Sequence, residues 1–309
     1  MKIAIIGTGG VGGYYGGLLA RQGYDVTFVA RGAHREAIRK NGLQIKSIHG
    51  DFTVSPAQAT DNPAEIGVVD FILFTVKTYS TDEAAQAIRP IVGPETSVLS
   101  LQNGIDAAER IGKAVGMEHV LGGMTQLSSA IEAPGVIKQV SQFRRVVFGE
   151  FDGSVSARAQ AVEKAFKEAD ITAEITQDIR KVLWEKLIFI FVASSMGSLT
   201  RLPMGDWREP PETRALIVKL MKEAEAVARA EGVALDADVV EKTLAFIDAA
   251  APHIKPSMQL DVDAGRQFEL EAMIGVIGRK GHEAGVPTPT ADAVYAALLP
   301  VNLKALKNR

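Results

Sequence analysis

The chain has 309 residues, no cysteine, and a formal net charge of −3 from 34 basic and 37 acidic side chains. Signs this evenly mixed argue against a nucleic-acid partner or an anionic membrane surface. The lack of cysteine excludes disulfides, thiolate metal sites and cysteine nucleophiles, and suits a reducing cytoplasm. The length suffices for two domains with a large core. Five histidines, His34, His49, His119, His253 and His282, are scattered without ligand spacing, so no metal site is expected. The first strand starts within two residues, which leaves no room for a signal peptide. The most apolar run, residues 187–193, is far shorter than the roughly 20 residues that span a bilayer.

The apolar run Ile3-Ala4-Ile5-Ile6 leads into Gly7-Thr8-Gly9-Gly10-Val11-Gly12, a strand, tight turn and helix start in succession. Gly7, Gly9 and Gly12 have GxGxxG spacing: one glycine for the turn, one for close approach to a pyrophosphate, one for packing helix on strand. Unpaired amides at the helix start, aided by the helix dipole, would hold the phosphates. Glycine turns of this kind also occur as plain structural loops. Here the following amphipathic stretch, 11–22, and the second strand, 25–30, supply the context of a Rossmann dinucleotide site. An NAD site places a carboxylate at the end of that second strand, to accept from ribose hydroxyls. This chain has Ala30-Arg31-Gly32 there, and a guanidinium suits the 2′-phosphate of NADP. Arg35 is placed to assist. Apart from its position, Arg31 reads as an ordinary solvated loop residue.

Residues 43–55 alternate around His49-Gly50-Asp51 as two short strands embellishing the sheet. The run 68–76, continuous apart from Asp70, predicts a strand buried on both faces and ends in Lys77. Residues 97–101 predict another, running into Gln102-Asn103-Gly104. Both polar clusters fall at the carboxyl ends of strands, where open α/β sheets bind ligands, so Lys77 and Asn103 are site candidates. A loop lysine and a turn-forming Asn-Gly are the plainer readings. Stretches 120–126, 136–141 and 146–151 predict antiparallel strands completing the same sheet, followed by helix 156–169 and strand 172–175.

Beyond Asp178 only helical periodicity continues, which predicts residues 1–176 as an NADP-binding doubly wound α/β domain and 177–309 as an all-helical substrate domain. Helix 179–200 is apolar on every side over 187–193, so it is central to its domain. Lys186 lies at the edge of that segment, with Ile190 and Ser194 on its face. By pattern alone its stem packs while its ammonium reaches water. Helices follow at 213–231 and 236–250, then a long helix opened by Pro256-Ser257-Met258 with Ser257 as its N-cap, and a last helix at 289–306. Glu269 and Glu271 interrupt the apolar run 268–277, so one of them faces something other than bulk water.

Taken in order, the N-terminal glycine turn, Arg31, Lys77, Gln102-Asn103-Gly104, Trp184-Glu185-Lys186, Pro256-Ser257-Met258 and Glu269 resemble the ketopantoate reductase family over essentially the whole chain. The resemblance implies NADPH-dependent reduction of 2-dehydropantoate to pantoate for pantothenate synthesis. By position it assigns the turn, Gly7 to Gly12, to the pyrophosphate, Arg31 to the 2′-phosphate, and Lys77 and Asn103 to cofactor and substrate. It makes Lys186 the catalytic lysine, Ser257 the ligand of the substrate carboxylate and Glu269 the partner of the substrate hydroxyl. Family asparagines often found beyond the lysine are Ile190, Ser194 and Met204 here, which implies a less polar pocket and admits a different 2-oxo acid. Ser194 is kept as a substrate-binding candidate. The expected partner is a small 2-oxo acid, with no nucleic acid or membrane, and a homodimer is compatible. A 3-hydroxyacid dehydrogenase and a non-catalytic NADP-binding sensor are the competing readings.

Overall fold

The computed structural model describes residues 1–307; the last two residues of the expected helical domain, 308 and 309, lie outside them. In chain order the first part runs β1 (Lys2–Ile6), α1 (Gly10–Arg21), β2 (Asp25–Val29), α2 (Gly32–Asn41), β3 (Leu43–Ser47), β4 (Phe52–Val54), β5 (Gln58–Thr60), β6 (Val69–Phe74) and α3 (Thr81–Ala87). It continues through β7 (Val92–Ser100), α4 (Ala107–Val115), β8 (Val120–Gln126), β9 (Ser129–Ala133), β10 (Val136–Gln139), β11 (Arg145–Gly149), α5 (Ala157–Glu168) and β12 (Thr172–Ile175). Then come α6 (Ile179–Thr200), α7 (Met204–Arg208), α8 (Pro211–Ala230), α9 (Val239–Ala249), α10 (Ser257–Asp263), a π-helical turn (Glu271–Gly275), α11 (Val276–Ala284) and α12 (Pro289–Lys307). Two compact units emerge: Met1–Gln102 with Ala107–Ile179, and Asn103–Asp106 with Arg180–Arg309.

The first unit is built on an eight-stranded sheet of order β12-β11-β8-β7-β6-β1-β2-β5. All neighbours pair in parallel except β8 with β11, so β11 and β12 run against the rest. Strand alternation distributes side chains to both faces: Ile3, Ile5, Phe71 and Leu73 enter one core, while Ala4, Ile6, Ile72 and Phe74 enter the other. That is why Ile3 to Ile6 of β1 and Phe71 to Phe74 of β6 read as unbroken apolar runs. Each fully buried Ile, Leu or Phe contributes roughly 1.5–3 kcal/mol.

The small strands depart from expectation. Segments 43–55 and 136–141 do not extend the main sheet; they form a separate four-stranded sheet, β4-β3-β10-β9, with β10 parallel to β3. The cause is visible in α1. A Cβ at Gly12 or Gly16 would strike Gly7, Thr75, Ile5 or Phe28 on the main-sheet side, and one at Gly13 or Gly17 would strike Ile137 or Ile45 of the small sheet. Bare glycine on two faces lets α1 lie pressed between two sheets, so Ile137, fully buried, completes the core from the far side of α1.

In the second unit α6 is the core helix: Leu187, Ile188, Phe191, Val192 and Met196 are all buried in one cluster. Its 22 residues, with a mean hydropathy of 1.5 over the best window, are long and apolar enough to cross a membrane. The short apolar run therefore understated the helix, and it is burial among the other helices that absorbs its surface here. The expected long helix from Ser257 is also broken. Backbone N–H groups of Ala264, Gly265 and Arg266 close the end of α10, and residues 266–269, which belong to no helix or strand, precede the next helical turn. Ser257 is the first helical residue, after an N-cap at Pro256, and makes no capping bond.

Candidate active site

In the first unit β1 delivers the chain to Gly7 at φ +96°, where a Cβ would lie 2.7 Å from the Val76 amide nitrogen. Thr8 donates through its N–H (3.1 Å) and its Oγ1 (2.9 Å) to the carbonyl of Val29, and Gly9 N–H donates to Gly7 O at 2.8 Å. The two glycines that follow differ in surroundings. A Cβ at Gly10 would collide with the backbone of Ser129, whereas one at Gly9 would meet nothing within 4 Å. Open space over a bare backbone, at the start of a helix whose first amides lack intrahelical partners, fits a pyrophosphate. Val11 and Gly12 complete that first turn. His34 braces it: Gly135 N–H donates to Nδ1 at 2.9 Å, so Nε2 carries the proton and donates to Thr8 O at 2.8 Å. Burial holds this imidazole's pKa below its usual value.

Arg31 stands exposed after β2 and donates to Glu83 of α3 at 2.7 Å. Arg35 pairs with Glu36 at 2.5 Å and with Asp61. Lys77, exposed, caps the short turn after β6.

In the second unit Lys186 of α6 is partly buried, and Glu269, only 6% exposed, acts on it electrostatically. Burial dominates: it lowers the ammonium pKa from 10.5 to about 8, while the Glu269 charge pulls the other way. Of the two acidic residues in the apolar run, Glu269 is thus the inward one. Glu271 is exposed and accepts from Tyr295 at 2.6 Å and from Arg279 at 3.1 Å. Arg279 also reaches Asp106 at 3.3 Å, and Gly104, at φ +93°, lies so close to the π-helical turn that a Cβ would sit 2.9 Å from Ala272 O. The turn carrying Asn103 is thereby fastened three residues from Glu269.

Ser257 is exposed at the start of α10, beside Pro256 and Gln259, which lie against Gly197. Gly197 follows Lys186 by eleven residues, three turns along one face of α6. Ser194 is fully buried, and its hydroxyl has no hydrogen-bond partner among the described residues. Ile190 packs against the core and Met204 lies inside it. Lys186, Glu269 and the Asn103 turn therefore belong to one neighbourhood of the helical unit. Glu83, the Arg279 tether and the His34 brace were not legible in the chain, because each links residues with no pattern in common.

A family model described as "Ketopantoate reductase PanE/ApbA" matches residues 3–153, and its C-terminal counterpart matches 178–302. The chain belongs to the ketopantoate reductase family. Ketopantoate reductases are NADP-dependent oxidoreductases acting on CH–OH groups, and this chain is an enzyme of that type. It is 31% identical to a 2-dehydropantoate 2-reductase of Mesorhizobium japonicum, the alignment covering 96% of each chain. An uncharacterized oxidoreductase of Bacillus subtilis, YkpB, is also 31% identical, over 96% of this chain and 98% of its own. The crystal structure of a 2-dehydropantoate 2-reductase from Geobacter metallireducens superposes with a TM-score of 0.91 at 32% identity, covering 97% and 99% of the two chains. Both the doubly wound sheet and the helical second part are thus family features.

Proposed function

We propose that the protein reduces 2-dehydropantoate to pantoate with NADPH in the cytoplasm, as a step of pantothenate synthesis, with residues 1–176 holding the cofactor and 177–309 the substrate. The observation that carries the reading is Lys186, a desolvated ammonium with a pKa near 8 facing the buried carboxylate of Glu269. NADPH, when bound, would supply the hydride that reduces the carbonyl carbon. Negative charge then grows on the carbonyl oxygen, and Lys186 stabilises it and donates the proton. Desolvation makes the lysine a readier donor while leaving it protonated at neutral pH. Glu269 keeps the ammonium charged and selects a substrate hydroxyl, Ser257 binds the carboxylate, and Asn103 orients the carbonyl against the nicotinamide. The backbone from Gly7 to Gly12 takes the pyrophosphate, with Arg31 at the 2′-phosphate and Lys77 beside the cofactor.

The test is cofactor oxidation by the full-length protein with NADPH and a panel of 2-oxo acids. Ketopantoate should be reduced fastest, and Lys186→Met should lower kcat by about 10² or more while NADPH affinity holds. Binding of NADPH without oxidation by any acid would leave a sensor. A second reading, a more apolar 2-oxo acid, is favoured by Ile190 and the buried Met204, and the same panel decides it.

A further inference from the structure

The end of β2 carries no carboxylate of its own, yet one is present there in space. The strand order β6-β1-β2 sets α3, which follows β6, and Arg31, which follows β2, on opposite sides of the glycine turn that follows β1. The 2.7 Å pair between Arg31 and Glu83 therefore reaches across the carboxyl edge of β1 and brings the Glu83 carboxylate to the end of β2, where a bound dinucleotide's adenosine ribose would lie. Both side chains are well exposed, 73% and 66%, so the pair is weakly held and an incoming ligand can part it. Arg35, the other guanidinium nearby, is likewise engaged by Glu36 and Asp61. Phosphate recognition here competes with carboxylates already in place.

We infer that Glu83 sets cofactor preference: its carboxylate accepts the ribose 2′-hydroxyl of NADH and opposes the 2′-phosphate of NADPH at Arg31, so the protein uses both dinucleotides. A dianionic phosphate beside Glu83 meets like charge, whereas a neutral hydroxyl finds the acceptor that NAD sites provide. The inference rests on the reading that the first unit binds a nicotinamide dinucleotide.

Fluorescence titration of the full-length protein with NADPH and with NADH tests it, in the wild type, Glu83→Gln and Arg31→Gln. Wild type should bind both. Glu83→Gln should tighten NADPH and weaken NADH, each by about threefold to tenfold, moving their ratio by about tenfold or more. Arg31→Gln should move the ratio the opposite way with NADH retained. The gain for NADPH in Glu83→Gln should shrink as salt rises. If both cofactors bind and the ratio is the same in Glu83→Gln, Glu83 has no such role and dinucleotide binding stands. If wild type binds neither, that underlying reading falls and takes this one with it.

Discussion

Lys186 is costly to the fold and useful to the reaction for one reason. Lowering its pKa from 10.5 to about 8 corresponds to about 3 kcal/mol against burying the charged form. Between those two values the unfolded chain holds a proton that the native state has released, so this group's contribution to stability rises with pH across that window. At neutral pH the penalty is present in full; Lys186→Met removes it but leaves the buried Glu269 carboxylate without its counter-charge, and kcat should fall by about 10² or more. Reduction should proceed at a plateau below pH 8 and fall about tenfold per unit above it. In Glu269→Gln the break should come at lower pH, since the carboxylate opposes desolvation. His34 carries the opposite lesson at the glycine turn. Its pKa lies below 6.5, so its stabilisation is complete above 6.5 and is lost as pH falls through the lower native value. Protonating Nδ1 removes the acceptor for Gly135, and dinucleotide affinity should weaken in acid, less so in His34→Gln. The location of Lys186 beside an apolar segment was legible in the chain. The depth of its desolvation was not, because that depends on residues far from it in sequence.

Among the elements, α1 separates two kinds of glycine that a motif writes identically. Gly9→Ala meets open space and should leave stability within about 0.5 kcal/mol of wild type while weakening NADPH binding tenfold or more. Gly10→Ala drives a methyl into the Ser129 backbone and should destabilise by about 1–3 kcal/mol. Thermal melting and cofactor titration of the two variants tell them apart. Strand and helix periods of β1, α1, β2, β6, α6 and α12 could be read from the residues, since burial on one or both faces imposes them. The sheet to which β3, β4 and β10 belong could not, because alternation predicts a strand and says nothing of its neighbour. The stretch after α10 failed similarly: apolar spacing looked helical across Ala264-Gly265, and the turn there is what lets the chain re-enter with Glu269 facing inward.

For the whole molecule, ligand linkage offers a separate check. NADPH at a hundred times its Kd should stabilise the state that binds it by about 2.7 kcal/mol, seen as a concentration-dependent rise in melting temperature. Residues 103–106 leave the first unit's chain to pack with the second, so the Asn103 turn is held by Arg279 and Ala272. Loosening that tether with Arg279→Met should lower kcat/KM by about tenfold without altering NADPH affinity. The squeezed position of α1 has an implication for anyone retooling the enzyme toward a cheaper coenzyme. Mutant libraries aimed at the helix itself would mostly yield misassembled protein, since either flank is already occupied. Diversity belongs instead at the outward-facing guanidinium and its carboxylate neighbour, where replacement disturbs nothing structural.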